Sequence, residues 1–284
     1  MMNKFLQLIV ILITAIFVSS ISAQTSPATN QIEATPVGNA ISVAPARFEA
    51  EMEPGSSTTF VVHLNYRSDA REQKPSRVAV SLNDWNLTND GQVVFSKAGT
   101  SPNSASSWIV YSPSDATVTP GQNNTIRVTI SVPKDAAPGD HLSALIIEPR
   151  PDNSKLSRNE RQVTVRYRMA TMIYVKVPKL TRKGSLENLK AATDQKGLII
   201  VPTLKNEGNS VVRPIHSVKV VDVKGQVVAE LPEAESLPVL AKGELSKAVV
   251  IEKKLAPGTY TVKYKVEFQD GGKATEGVKE LIVN

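Results

Sequence analysis

A chain of 284 residues with 41% apolar and 21% charged side chains can bury one large core or two ordinary ones, which excludes disorder of the whole chain. Six Phe, six Tyr and two Trp make any core mostly aliphatic and argue against a broad aromatic platform for carbohydrate. The formal charge of +6 is scattered in short clusters such as Arg166-Tyr167-Arg168, so no contiguous nucleic-acid patch is indicated, and the absence of cysteine excludes thiol nucleophiles, Cys zinc sites and a disulfide-pinned core.

Met1-Met2-Asn3-Lys4 is a short positive start, followed by an apolar run over residues 5–18 and by the small residues Ser19-Ser20-Ile21-Ser22-Ala23. This is the order of a secretory signal, with Ala23 the last residue before cleavage. The run is shorter than the roughly 20 apolar residues of a membrane span, and no second such stretch follows. Residues 1–23 are therefore expected to leave, giving an exported protein, periplasmic or otherwise extracytoplasmic, with no stable membrane insertion. Residues 24–40 are small, polar and Pro-containing and read as a flexible leader.

From Ile41 the pattern becomes short alternating runs between turn signals. Strands are expected at 41–50, 58–64, 77–82, 92–95, 107–111, 124–132, 141–148 and 162–177. Pro54-Gly55, Asn89-Asp90-Gly91, Pro120-Gly121 and Pro138-Gly139 supply turns between them. In the clearest run Ile126, Val128, Ile130 and Val132 point one way, and Thr125, Arg127, Thr129 and Ser131 the other. The polar stretch 150–161 reads as a mobile loop.

A boundary is expected at 178–184. Beyond it, strands are expected at 197–201, 214–221, 227–231, 247–252, 258–268 and 277–283, while 185–193 reads as two helical turns. No βαβ unit is visible. The fold class that follows is all-β, with two tandem immunoglobulin-like β-sandwich domains at 41–178 and 179–284.

Chemistry is sparse. His63, His141 and His216 are separated by spacings that suit no metal, and no Gly-x-Ser-x-Gly elbow or phosphate loop is present. Asn83-Asp84 and Asn89-Asp90 are only a weak calcium motif. The expectation is a protein without enzymatic activity, cofactor or metal.

The most informative segment is 163–177. Val163, Val165, Tyr167, Met169, Ile173, Val175 and Val177 alternate onto one face, with Thr171 among them. At about 3.3 Å per residue this is about 50 Å of chain, longer than an ordinary strand. Either the segment closes its sheet and runs into the linker, or its first half overhangs as an edge that offers backbone groups and Val163, Val165 and Tyr167 to a partner strand.

The order of motifs is then telling. Ile41-Ser42-Val43-Ala44-Pro45-Ala46-Arg47 precedes Pro54-Gly55, and Pro120-Gly121-Gln122 precedes the alternating strand. Pro138-Gly139, Leu145-Ile146-Ile147-Glu148-Pro149 and a long last strand follow. Residues 41–178 resemble in this the amino-terminal domain of periplasmic pilus-assembly chaperones and their wider superfamily. The resemblance implies an exported chaperone-like protein that binds a pilin-like or surface subunit by strand addition. It implies Arg47 as an anchor for the subunit's terminal carboxylate, with Val163, Val165, Tyr167, Arg168 and Met169 along the donated edge. It places Met172 where the family carries a lysine, leaving Arg168 or Lys176 to substitute. The alternative is a structural or adhesive surface protein whose sandwiches are spacers and whose last strand is covered.

Overall fold

The computed structural model describes residues 40–67, 74–150, 167–269 and 274–284. They belong to one compact unit and hold eighteen strands in four sheets, so the chain is all-β as expected.

The first ten strands are β1 (Ala40–Ala44), β2 (Arg47–Glu51), β3 (Ser57–Arg67), β4 (Ser76–Leu87), β5 (Val93–Lys97), β6 (Ile109–Ser112), β7 (Asp115–Val118), β8 (Asn124–Ser131), β9 (Gly139–Pro149) and β10 (Met169–Val177). They form one sheet in the order β1-β3-β8-β6 and a second in the order β2-β10-β9-β4-β5, with β7 also on β4. One core draws from both sheets: Val62, Leu64, Ile126, Val128 and Ile130 from the first, Val78, Leu145, Ile147, Ile173 and Val175 from the second. Alternation dictates this. In β8 the even-numbered apolar residues are buried and the odd-numbered Thr125 and Arg127 are exposed.

The remaining strands are β11 (Gly184–Thr193), β12 (Leu198–Asn206), β13 (Pro214–Asp222), β14 (Val227–Glu235), β15 (Glu244–Leu245), β16 (Val249–Ile251), β17 (Gly258–Phe268) and β18 (Thr275–Val283). β11-β12-β15, with β16 on β12, packs over β14-β13-β17-β18 through a second core that includes Leu198, Ile200, Val218, Val262, Tyr264 and Phe268.

Several expectations need correction. The strand expected at 41–50 is two strands in different sheets: β1 pairs antiparallel with β3, and β2 pairs parallel with β10. Pro45 lies between them and has no N–H to offer a ladder, so continuous pairing breaks there. The strand expected at 107–111 starts instead as a 3-10 turn, Ser106–Trp108. β7 and β15 fall where the sequence pattern marks no strand. Of the strand expected at 162–177 the described part begins at Met169, while 162–166 lie outside the described residues. The helical turns expected at 185–193 are β11, antiparallel to β12. A bulge between Leu186 and Asn188 turns Leu186 and Leu189 onto the same core face at a spacing of three, which imitates a helix.

Asp84 shows how a chain without cross-links holds a long connection. It is fully buried at the core side of β4, and its carboxylate accepts hydrogen bonds from the amides of Thr100 and Ser101 (2.8 Å each). Its other oxygen takes the hydroxyls of Ser104 (2.6 Å) and Ser106 (2.7 Å). These four donors engage both oxygens of the Asp84 carboxylate. Burial alone would raise its pKa, but the bonds from Ser104, Ser101 and Ser106 outweigh burial and lower it. Asp84→Ala strands two amides and two hydroxyls and is expected to cost about 3 kcal/mol in urea unfolding. Because the folded pKa is depressed, this contribution is complete above the ordinary aspartate range of about 4 and disappears as pH falls through the lower folded value. The gap between wild type and variant should therefore narrow in acid.

Candidate functional site

The outward face of the second sheet holds the chemistry. The β2–β10 ladder runs parallel, with Arg47 opposite Met172, Glu49 opposite Tyr174 and Glu51 opposite Lys176. Phe48 and Ala50 turn inward, Phe48 stacking on Phe60 at 3.7 Å between ring centroids, so Arg47 and Glu49 must turn outward. On β10 the inward residues are Ile173, Val175 and Val177, and the outward ones Met172, Tyr174 and Lys176.

This outward face is covered by loops of the second sandwich. A third apolar cluster joins Trp85, Leu142, Ala144, Ile146 and Tyr174 to Val211 and Leu240. Trp85 meets Tyr174 edge-on at 5.2 Å. Polar contacts fix the register: Val211 N–H donates to the Asp140 carboxylate (2.7 Å), Asp140 N–H to the Asn209 carbonyl (2.9 Å), and Ser246 N–H to the Asn89 carbonyl (2.6 Å). Gly139 permits the approach. Its φ is +128°, and a Cβ there would lie 2.8 Å from the Asn209 carbonyl oxygen.

At the margin of the cluster, three cations converge on one carboxylate. Lys176 Nζ donates to Glu49 Oε2 at 2.8 Å, Arg47 Nε lies 3.2 Å from Oε1, and Arg213 of the second sandwich also donates to Oε1. Arg213 additionally lies over the Tyr174 ring, 5.7 Å from its centroid. Glu49 and Lys176 are largely enclosed, whereas the Arg47 side chain is 55% exposed. Burial would raise the Glu49 pKa; the Lys176 hydrogen bond and the charges of Arg213, Lys176 and Arg47 overcome it and lower it.

Arg47 thus lies in this cleft. Tyr167, exposed, and Arg168 precede β10 rather than extend it, and Arg168 is spent on Glu148 of β9 at 2.9 Å. The second cation beside Arg47 is Lys176, not Arg168. Met169 opens β10 half-buried against the first core. Val163 and Val165 lie outside the described residues. On the β9 side β10 is paired from Met169 onward, but its ladder with β2 starts only at Met172, and the Thr171 hydroxyl donates to the Pro45 carbonyl at 2.8 Å. Among the described residues, Met169 and Ala170 therefore have a strand neighbour in the sheet on one side only. Sequence reading missed Glu49 and Arg213. The alternation Arg47-Phe48-Glu49-Ala50-Glu51 does carry a signal for Glu49, but Arg213 lies in a loop with none.

The histidines serve locally. His63 contacts Asn123 (3.3 Å), His141 packs on Trp108 and His216 Nδ1 meets the Tyr264 hydroxyl (2.9 Å). Among the described residues no group of three or more His, Asp or Glu is placed to hold a metal, and no helix is long and apolar enough to cross a membrane.

No protein-family model matches the chain, and no curated protein matches it. Among solved structures it is similar to a chain of a chaperone–tip adhesin complex of CFA/I fimbriae biogenesis (10% identity, TM-score 0.43, covering 86% of this chain and 100% of that one). It is also similar to a chain of the CsuC–CsuE chaperone–tip adhesion subunit complex from archaic Csu pili of Acinetobacter baumannii (14%, 0.42, 85% and 98%). A third is a chain of the Salmonella enterica SafA pilin–SafB chaperone complex (12%, 0.40, 86% and 96%).

Two outcomes are expected from this geometry. Gly139→Ala should lower stability by about 2 kcal/mol or more in denaturant titration, through backbone strain and the clash with Asn209. Glu49→Gln should lower the melting temperature at neutral pH. Since the Glu49 pKa is depressed, its contribution is complete above the ordinary glutamate range of about 4.3 and is lost as pH falls through the lower folded value. The two melting curves should converge in acid.

Proposed function

We propose that this chain is an exported, chaperone-like protein that holds a protein partner by β-strand addition at the start of β10, with Arg47 receiving the partner's terminal carboxylate. The observation that carries the reading is a juxtaposition. Among the described residues, Met169 and Ala170 have no strand partner on the β2 side, and the next residues of β10 lead directly into a cleft with three cations around one carboxylate. A strand laid along that edge finds backbone donors and acceptors, and its end finds guanidinium groups suited to a carboxylate.

The partner in this reading is a pilin-like or surface subunit. Partner contact in this reading extends to Val163, Val165, Tyr167 and Arg168, the sequence alternation of Val163, Val165 and Tyr167 supplying apolar side chains for the partner's groove. The two sandwiches act as the domains 41–178 and 179–284, with the cleft where they meet. Residues 1–23 direct export to the periplasm or another extracytoplasmic space, and residues 24–40 are the leader.

The test is an affinity pull-down from the native envelope with wild type, Arg47→Ala, Tyr167→Asp and Val165→Asp. One dominant partner is expected, its retention abolished by the two edge variants. Arg47→Ala should weaken it by about tenfold to a hundredfold, as loss of one charge-assisted contact does. Retention of the same partner by all three folded variants would exclude strand addition and favour a structural or adhesive surface protein built from spacer sandwiches.

A further inference from the structure

The carboxylate already present in the cleft has a consequence for what the cleft binds. Both oxygens of Glu49 are engaged, Oε2 by Lys176 and Oε1 by Arg47 and Arg213. Among the described residues Glu49 is the carboxylate that Arg47 and Arg213 reach within ion-pair distance. Two further carboxylates share the ladder positions of Lys176: Glu51 on β2, exposed, and Asp140 on β9, buried and turned to Val211. Neither is ion-paired with an arginine of the cleft. An incoming carboxylate therefore meets guanidinium groups that a carboxylate of the chain itself already neutralises.

We propose that Glu49 is a resident competitor for the anion site, so that a partner's terminal carboxylate binds by taking over the Arg47 and Arg213 contacts that Glu49 holds. This deepens the strand-addition reading and rests on it, since it concerns the control of the same anchor. The physical reason is that three cations gathered in a partly enclosed cleft need a counter-charge; the cleft cannot be left empty without the repulsion and desolvation of unpaired charge. Glu49 meets that need in the free protein. It also moderates affinity, because each contact made by the partner is partly offset by one that Glu49 gives up. The half-exposed Arg47 is the point of entry, and Arg213 and Lys176, more enclosed, are reached after it. The opposite role is equally definite: if Glu49 only positions the arginines for a fourth group, its removal weakens binding.

The experiment uses a synthetic peptide of roughly eight residues alternating Val and Thr, a strand-length probe, with a free C-terminal carboxylate or as its amide. Binding to wild type, Glu49→Gln and Glu49→Ala is measured by calorimetry. Glu49→Gln keeps the shape of the side chain, and thermal melts establish that each variant is folded. The free acid is expected to bind both variants about tenfold or more tightly than wild type, the amide to bind all three equally, and Arg47→Ala added to Glu49→Ala to abolish the gain. Acetate should raise the melting temperature of Glu49→Ala more than that of wild type, by refilling the vacated position.

If wild type prefers the acid to the amide but neither variant binds the acid more tightly, Glu49 is a positioning residue and the competitor role is wrong, while the carboxylate anchor stands. If no protein distinguishes acid from amide, the anchor and the competitor fall together.

Discussion

The cleft depends on a parallel ladder between β2 and β10. β1 pairs with β3 in one sheet and β2 with β10 in the other, and the chain passes from one to the other at Pro45, where the backbone lacks a donor. The ladder sets Arg47 and Glu49 beside Met172, Tyr174 and Lys176, all on the outward face, while Phe48, Ala50, Ile173 and Val175 close the core behind them. Slipping the register by one residue would send the charges into the core and the core to the cleft. The apolar alternation that stabilises the sandwich thus also aims the charged groups.

The outward face is stabilised by contrasting means. Trp85, Leu142, Ile146, Tyr174, Val211 and Leu240 exclude water through area, while Asp140, Asn209 and Ser246 supply directional contacts that select one arrangement. The ion cluster at the edge of this patch is partly shielded from solvent, where charges influence one another more strongly than on an open surface. Its net contribution to stability is smaller than its Coulombic attraction, since enclosed ion pairs give back much of that attraction in desolvation.

The architecture was readable wherever period-two alternation was unbroken, as in β8, or turn residues marked a hairpin, as Asn89-Asp90-Gly91 does between β4 and β5. The switch at Pro45 was hidden because each half looks like the same strand. β11 was hidden because its bulge rearranges side-chain spacing in a way only the pairing with β12 reveals. In the cleft, the resemblance pointed to Arg47 and, as one of two substitute cations, to Lys176, and both reach Glu49. Arg213 was not legible, because a loop arginine acquires meaning only from the surface it reaches, 164 residues away in sequence from Glu49.

That long reach joins two properties that are usually separate. Arg213 belongs to the second sandwich and Glu49 to the first, so their ion pair contributes to the docking of the sandwiches as well as to the charge of the cleft. Linkage makes the relation reciprocal: whatever alters the electrostatics at Glu49 alters the free energy of the docked orientation, and whatever strains that orientation alters the Glu49–Arg213 pairing by the same amount. Substitutions around Asn209 or Asn89, remote from the ions themselves, therefore act on the cleft as levers.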